Sequence, residues 1–134
     1  MLTEKGRIEP TIPALVAVPA HERVGHAIDR LQSYGISQIP VAKGQSPHDL
    51  AEIVGSINER SLLDRVFRDR EAVNREVVEV MDPPLPVVQA AAGVDEMFAD
   101  LSRGAEAVVV AEGSRPIGVL ARADLLEFLA HQNG

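Results

Sequence analysis

The feature that most constrains this chain is that it contains one unit twice. Val18 and Val24 recur as Val88 and Val94, 70 positions on, and Gly55 recurs as Gly118, 63 positions on. A shorter loop in the second copy accounts for the change of offset. A unit of this size leaves too much apolar surface uncovered to be stable alone. The two copies are therefore expected to pack together around a pseudo-two-fold axis, and 134 residues fit two small repeats sharing a core.

Each copy is expected to run strand–helix–strand–strand–helix. Residues 1–13 are polar and carry Pro10 and Pro13, as a lead-in or linker would. Ala14 to Val18 is a short apolar run, read as a strand stopped by Pro19. Val24, Ala27, Ile28 and Leu31 fall at helical spacing, and Gly35 is placed to end that helix. Ile39-Pro40-Val41 reads as a strand whose proline puts it at an edge or a strand end. A third strand is expected from about Ala51 to Ile57. The helix after it has Leu62, Leu63, Val66 and Phe67 on one face and Asn58 as its N-cap.

Val73, Val77, Val80 and Met81 have i, i+4, i+7, i+8 spacing, which predicts a short connecting helix stopped by Asp82-Pro83-Pro84. The pattern then restarts. A strand is expected over Leu85–Val88, a helix over Asp95–Arg103 closed by Gly104, and a strand over Ala107–Val110. A turn at Glu112-Gly113, a strand over Ile117–Leu120 and a closing helix from Arg122 to about His131 complete it. These readings give a mixed α/β (α+β) chain. Its parts are a lead-in at 1–13, a first repeat at 14–70, a connecting segment at 71–83 and a second repeat at 84–134.

Composition excludes several function classes. Aromatic residues make up 3% of the chain and the net charge is −7, so base-stacking platforms and clustered cations for a phosphate backbone are scarce. No nucleic-acid partner is expected. There is no cysteine, which rules out disulfides and thiol chemistry and fits a cytoplasmic protein. No apolar run approaches the roughly 18–20 residues that span a bilayer, so no membrane partner is expected either. The N-terminus lacks the apolar core of a signal peptide. His21, His26, His48 and His131 share no metal-ligand spacing, so no metal is expected. With no nucleophile elbow and no phosphate-binding Gly-rich loop, no catalytic residue is assigned.

Two stretches carry chemistry. In Gly118-Val119-Leu120-Ala121-Arg122-Ala123-Asp124 a strand ends and a helix begins, which puts Asp124 in the first helical turn. Backbone N–H groups and the helix dipole favour a carboxylate there, and its acceptor-only oxygens suit the vicinal hydroxyls of a ribose. A helix-stabilising Asp is the plainer alternative. In Gly35-Ile36-Ser37-Gln38-Ile39-Pro40, exposed backbone at a helix–strand turn could read the edge of an adenine; an ordinary turn is the alternative. The first copy has the same shape as the second but carries Asn58 and Ser61 where the second has Ala121 and Asp124.

With the repeat and these stretches together, the chain resembles a tandem pair of CBS domains. The resemblance rests on Val18-Pro19, on Ala27, on Gly35 to Val41, and on a Gly-x-x-Thr-x-x-Asp-like ending to each repeat, over residues 12–132. Gly118 to Ala130 is also similar to the C-terminus of cystathionine β-synthase, and Gly55 to Leu63 with the 42–54 loop to its actinobacterial-type members. The resemblance implies two β-α-β-β-α repeats and a regulatory, non-catalytic chain with no cofactor of its own. Pyridoxal phosphate would belong only to the catalytic domain of a parent enzyme.

By position, the resemblance implies a main cleft with Asp124 on a ribose and Val119, Leu120, Ala121 and Ala123 beside it. Ile36, Ser37, Gln38 and Ile39 of the other repeat would close over the adenine, and Ala14, Leu15 and Val16 would line the floor. Ala121 stands where the family usually has Thr. The second cleft, at Asn58, Arg60 and Ser61, is degraded and expected to be vacant. The implied ligand is S-adenosylmethionine ahead of AMP, ADP or ATP, because Arg122 and Arg60 are the only cations placed to meet a polyphosphate. The implied partners are a second copy of the chain and a parent catalytic domain. A ligand-free dimerisation scaffold is the alternative.

Overall fold

A computed structural model describes residues 15–44, 47 and 49–132. The chain divides into two compact units, one of Val16–Leu85 and one that begins at Pro86 and also takes in Leu15. In the first, β1 (Val18–Pro19) leads to α1 (Val24–Tyr34), β2 (Gln38–Ala42), β3 (Ile53–Asn58) and α2 (Glu59–Arg68). In the second, β4 (Val87–Gln89) leads to α3 (Val94–Ser102), β5 (Ala107–Glu112), β6 (Arg115–Ala121) and α4 (Arg122–Gln132). Each unit holds one three-stranded sheet, ordered β1-β2-β3 and β4-β5-β6. The first pair in each sheet is parallel, spanned by a helix, and the second is antiparallel. The expected β-α-β-β-α order is present twice.

The first core gathers Val18, Val24, Ala27, Leu31, Ile39, Val41, Ile57 and Leu62 from every element of that unit. Helix α1 ends as its sequence requires. Gly35 takes the left-handed conformation, φ 62° and ψ 36°, and donates to Gln32 O while Ile36 N–H donates to Leu31 O at 3.0 Å. That closure satisfies the last carbonyls and turns Ile36 back onto the core.

Strand β2 is the centre of its sheet and is buried along its whole length, not at an edge as Pro40 implied. Pro40 lies opposite Ser56, whose own backbone groups pair outward with Asp82, so the Pro40–Ser56 pair exchanges no hydrogen bond. On the other side, pairing with β1 begins at Val41, one residue later. The missing N–H therefore falls where no partner strand needs it. Pro19 likewise does not stop β1 but forms its second residue, which an edge strand tolerates. Upstream, the Ala17 carbonyl accepts from Arg30 Nη1 at 3.1 Å instead of pairing in the sheet.

The third strand starts later than expected because Asp49 caps a 3-10 turn at Leu50–Glu52, accepting from Ala51 N–H at 2.8 Å. The connecting helix expected over 73–81 is also absent. Two 3-10 helices, Arg70–Asn74 and Val77–Glu79, stand in its place. Here the backbone is spent on long-range bonds: Val24 N–H to Arg75 O, Val77 N–H to Glu22 O and Val78 N–H to Ala20 O, at 2.9, 2.8 and 2.9 Å. A continuous helix would consume those groups internally. Val77 and Val80 still point into the first core.

The second core is built from Val88, Leu101, Val108, Val110, Leu120 and Leu125. The β5–β6 hairpin turns at Gly113, φ 62°, where expected. Its tip is held from β4: the Gln89 amide accepts from Gly113 N–H at 2.8 Å and donates to Gly113 O at 2.9 Å.

Candidate functional site

Strand β6 runs into α4 with alternating burial. Gly118 and Leu120 face inward, and Val119 and Ala121 are half-buried. Helix α4 starts at Arg122, so Ala121 is its N-cap and Asp124 its third residue. Alanine has no side-chain acceptor for an N-cap's work. Asp124 makes the reverse contact from within the helix: its Oδ2 accepts the N–H of Ala121 itself at 2.8 Å. The bond fixes a half-buried carboxylate beside Ala121, with the exposed Ala123 preceding it in the chain.

Arg122 is exposed and leans toward α3. Its Nε donates to the Leu101 carbonyl at 3.3 Å, and its side chain lines a groove with Phe98, Leu101, Ser102, Leu125 and Leu126.

The equivalent corner of the first unit satisfies different donors. Asn58, the expected N-cap of α2, accepts from Arg60 N–H at 2.8 Å and Ser61 N–H at 3.2 Å. Position 61 is then released from capping, and Ser61 Oγ donates to Asp82 Oδ2 at 3.3 Å. Arg60 is exposed. Asp82, absent from the sequence-based site, is held at the edge of β3 by paired backbone bonds with Ser56, whose Oγ donates to Pro83 O at 2.6 Å. A residue twenty-one positions beyond Ser61 leaves no local sequence signal of that contact.

The stretch Ile36 to Ile39 lies against this corner. Glu59 N–H donates to Ser37 O at 2.8 Å, and Gln38 pairs with Asn58 in the sheet. Ser37 is exposed and its Oγ donates to Gln38 Oε1 at 3.1 Å; Gln38 itself is buried. Ile39 and Leu120, both expected to line the cleft, are fully buried, backbone included. Leu15 and Val16 are half-buried, and Ala14 lies outside the described residues. The sequence-derived residues thus fall into two sets. Val16, Ile36 to Ile39, Asn58, Arg60 and Ser61 belong to the first unit, and Leu15 and Val119 to Asp124 to the second.

Two apolar grooves were not anticipated. One, about 470 Å³, lies between α1 and α2 and is lined by Ile28, Leu31, Ile36, Leu62, Leu63 and Val66, among others. The other, about 240 Å³, is the α3–α4 groove of Arg122. They are equivalent by repeat: Leu31, Leu62 and Leu63 correspond to Leu101, Leu125 and Leu126. Leu62, Leu63, Val66 and Phe67, expected on one face of this helix, are covered to different extents. Leu62 is buried, but Leu63 is 69% and Phe67 84% exposed.

Among the described residues, no group of three His, Asp or Glu side chains could hold a metal ion. His21 Nδ1 meets Glu76 Oε1 at 2.7 Å, and His26 bonds Glu22, whose carboxyl that bond holds below the usual carboxylate range. No described helix is long and apolar enough to cross a membrane.

The CBS domain profile matches the chain twice, over residues 8–68 and 77–131. Solved structures of similar fold include a signal-transduction protein with CBS domains from Burkholderia ambifaria MC40-6. It is 22% identical with a TM-score of 0.75, and the match covers 90% of this chain and 85% of that one. A CBS-domain protein from Agrobacterium tumefaciens is 20% identical over 87% of this chain and 85% of its own, with a TM-score of 0.72. CBSX2, solved in complex with AMP, is 18% identical over 92% and 95% of the two chains, with a TM-score of 0.69. Two profile matches in tandem, each over a unit with the β-α-β-β-α order, place this chain in the CBS-domain family as a tandem pair.

Proposed function

We propose that the chain is a regulatory module that binds one adenosyl ligand and biases a partner domain. The observation that carries this reading is the half-buried Asp124 carboxylate, held in place by the Ala121 N–H at 2.8 Å. Asp124 takes the ribose hydroxyls, with Val119, Leu120, Ala121 and Ala123 beside it. The turn at Ile36, Ser37 and Gln38 is the stretch that reads the adenine edge in this proposal. The AMP complex of CBSX2 supports an adenosine ligand. S-adenosylmethionine ranks ahead of AMP, ADP and ATP because it needs no phosphate cradle, and Arg122 is engaged with Leu101. The Asn58–Arg60–Ser61 corner is the vacant counterpart. In this reading the repeats span 14–70 and 84–134, joined by 71–83. The module is cytoplasmic and serves a pyridoxal-phosphate enzyme of the cystathionine β-synthase kind. Control requires the ligand to prefer one arrangement of the repeats over another.

Isothermal titration calorimetry with S-adenosylmethionine and with AMP tests this. One site per chain is expected for at least one of them, and no heat with either at saturating concentration overturns the reading.

A second reading, a ligand-free dimerisation scaffold, is supported by the exposed Leu63 and Leu126 at the two equivalent grooves and by the exposed Phe67 on α2. Sedimentation velocity separates the two: a scaffold is a constant dimer with no ligand response.

A further inference from the structure

The two units hand over at equivalent positions. The first ends at Leu85, and the second, which begins at Pro86, also takes in Leu15. Leu15 and Leu85 are 70 positions apart, the same offset as Val18 and Val88. In the first unit, the segment just before Leu85 closes the outer edge of β3 as an antiparallel bridge. Ser56 N–H donates to Asp82 O at 2.9 Å, and Asp82 N–H donates to Ser56 O at 2.8 Å. The segment comes so close that a Cβ on Gly55 would lie 2.8 Å from the Asp82 carbonyl oxygen.

The outer edge of β6 has the same features. β6 is the last strand in the order β4-β5-β6. Val119, at the place of Ser56, lies opposite Val109, whose N–H is turned the other way, to Pro86 O at 2.8 Å. The Val109–Val119 pair therefore exchanges no hydrogen bond, and the Val119 N–H and C=O point outward. None of the described residues bonds them, yet Val119 is half-buried. Backbone groups withdrawn from water are nearly always paired. Gly118, at the place of Gly55, is buried and has no positive φ, so no turn calls for glycine there. Close approach of another backbone does.

We propose that the edge of β6 is the docking site of the chain's own lead-in. Residues 11–13, which lie outside the described residues, add there as a short antiparallel strand, with Ile12 exchanging both backbone bonds with Val119. The register follows from the repeat, since Ile12-Pro13 stands 70 positions before Asp82-Pro83. The reach follows from Leu15, which already belongs to this unit and is separated from Ile12 by at most about 11 Å of extended chain. Backbone pairing does not depend on the side chain, so Ile12 serves as well as Asp82. Val119 has no hydroxyl to repeat the bond from Ser56 Oγ to Pro83 O, so the lead-in is held by its backbone alone. An open strand edge is a template for another chain. The lead-in protects the second repeat from such pairing as the connector protects the first.

Amide hydrogen exchange followed by NMR on the full chain tests this. The Ile12 and Val119 amides are expected to exchange at least about tenfold more slowly than open amides, and to share a nuclear Overhauser contact. Ile12→Pro removes one of the two bonds and should speed exchange at Val119 at least about tenfold. Ser56, held by Asp82, should be unchanged in that variant. Gly118→Ala obstructs the approach from the strand side and should release the Ile12 amide by a similar factor, again without moving Ser56. Ile12 exchanging as an open amide in the unmodified chain overturns the proposal, and that measurement needs no variant to fold. Protection of Val119 that survives Ile12→Pro also overturns it. So does protection that fades on dilution, which assigns the edge to a second copy of the chain.

Discussion

Ser56 and Asp82 exchange both of their backbone hydrogen bonds, at 2.9 and 2.8 Å, along the outer edge of β3. The connector thereby covers an edge strand that would otherwise present unpaired groups to another chain. The approach is close because residue 55 is glycine. A Cβ there would lie 2.5 Å from Met81 Sδ and 2.8 Å from the Asp82 carbonyl oxygen.

Gly55→Ala should therefore destabilise the chain by about 1–3 kcal/mol, the usual cost of overpacking a filled site. Urea unfolding followed by circular dichroism measures it. Met81→Ala in the same chain should restore only part of the loss, because the Asp82 carbonyl is backbone and remains in the way. Full restoration would mean that the thioether alone sets the approach.

Asn58→Ala removes the acceptor for two N–H groups at the start of α2 and should cost about 1 kcal/mol, within a range of roughly 0.5–2. Asn58→Asp should be close to neutral, since aspartate caps as well as asparagine. Ser61→Ala loses only a long, exposed bond to Asp82 and should change stability by less than about 0.5 kcal/mol. Equal losses for Asn58→Ala and Ser61→Ala in thermal melts would contradict this assignment of the cap.

Leu120 and Leu126 sit six residues apart in different surroundings. Leu120 is fully buried in the second core, and Leu126 is 66% exposed. Leu120→Ala should cost about 2–5 kcal/mol in chemical unfolding. Leu126→Ala should leave the stability of the single chain within about 0.5 kcal/mol. In the scaffold reading, Leu126→Ala would instead shift sedimentation toward the monomer.

The hydrogen bond from His26 holds the Glu22 carboxyl below its ordinary value, aided by the charges of His26 and Arg30 and opposed by burial. A carboxyl depressed in the folded state contributes stability above its unfolded value, about 4.3, and loses that contribution as pH falls through the folded value. The stability difference between the unmodified chain and His26→Ala should thus be present near pH 5 to 6 and shrink as pH falls below about 4. An NMR titration of the Glu22 side-chain carbon should show a midpoint below the ordinary one, moving up in His26→Ala. A midpoint that does not move removes the cause assigned here.

What was legible in the sequence was local. Gly35 announced a left-handed helix end, and Asn58 announced a cap, because each satisfies backbone groups within a few residues of itself. The position of Asp124 in the first turn of α4 was legible for the same reason. That it would meet backbone N–H groups was legible too; that the N–H it takes is that of Ala121 came from the structure.

Other features depended on residues far along the chain. Pro40 reads as an edge residue until Ser56 is seen to pair outward with Asp82 and β1 to begin at Val41. Val73, Val77, Val80 and Met81 read as a helix, and the apolar spacing was sound: Val77 and Val80 are buried. The backbone there bonds to Ala20, Glu22 and Val24, some fifty residues earlier, and that competition broke the helix into two 3-10 turns. Leu63 and Phe67 share an apolar stripe with Leu62, yet only the packing of α2 on the sheet decides which part of the stripe is covered.

The duplication, the β-α-β-β-α order and the exchange of Asn58 and Ser61 for Ala121 and Asp124 are properties of the sequence itself, since they follow from spacing and from side chains acting on their own neighbours. The fate of the connector, the central place of β2 and the binding of Asp82 to the first repeat were decided only in the tertiary structure. There, hydrogen bonds between distant segments compete with local ones for the same backbone groups.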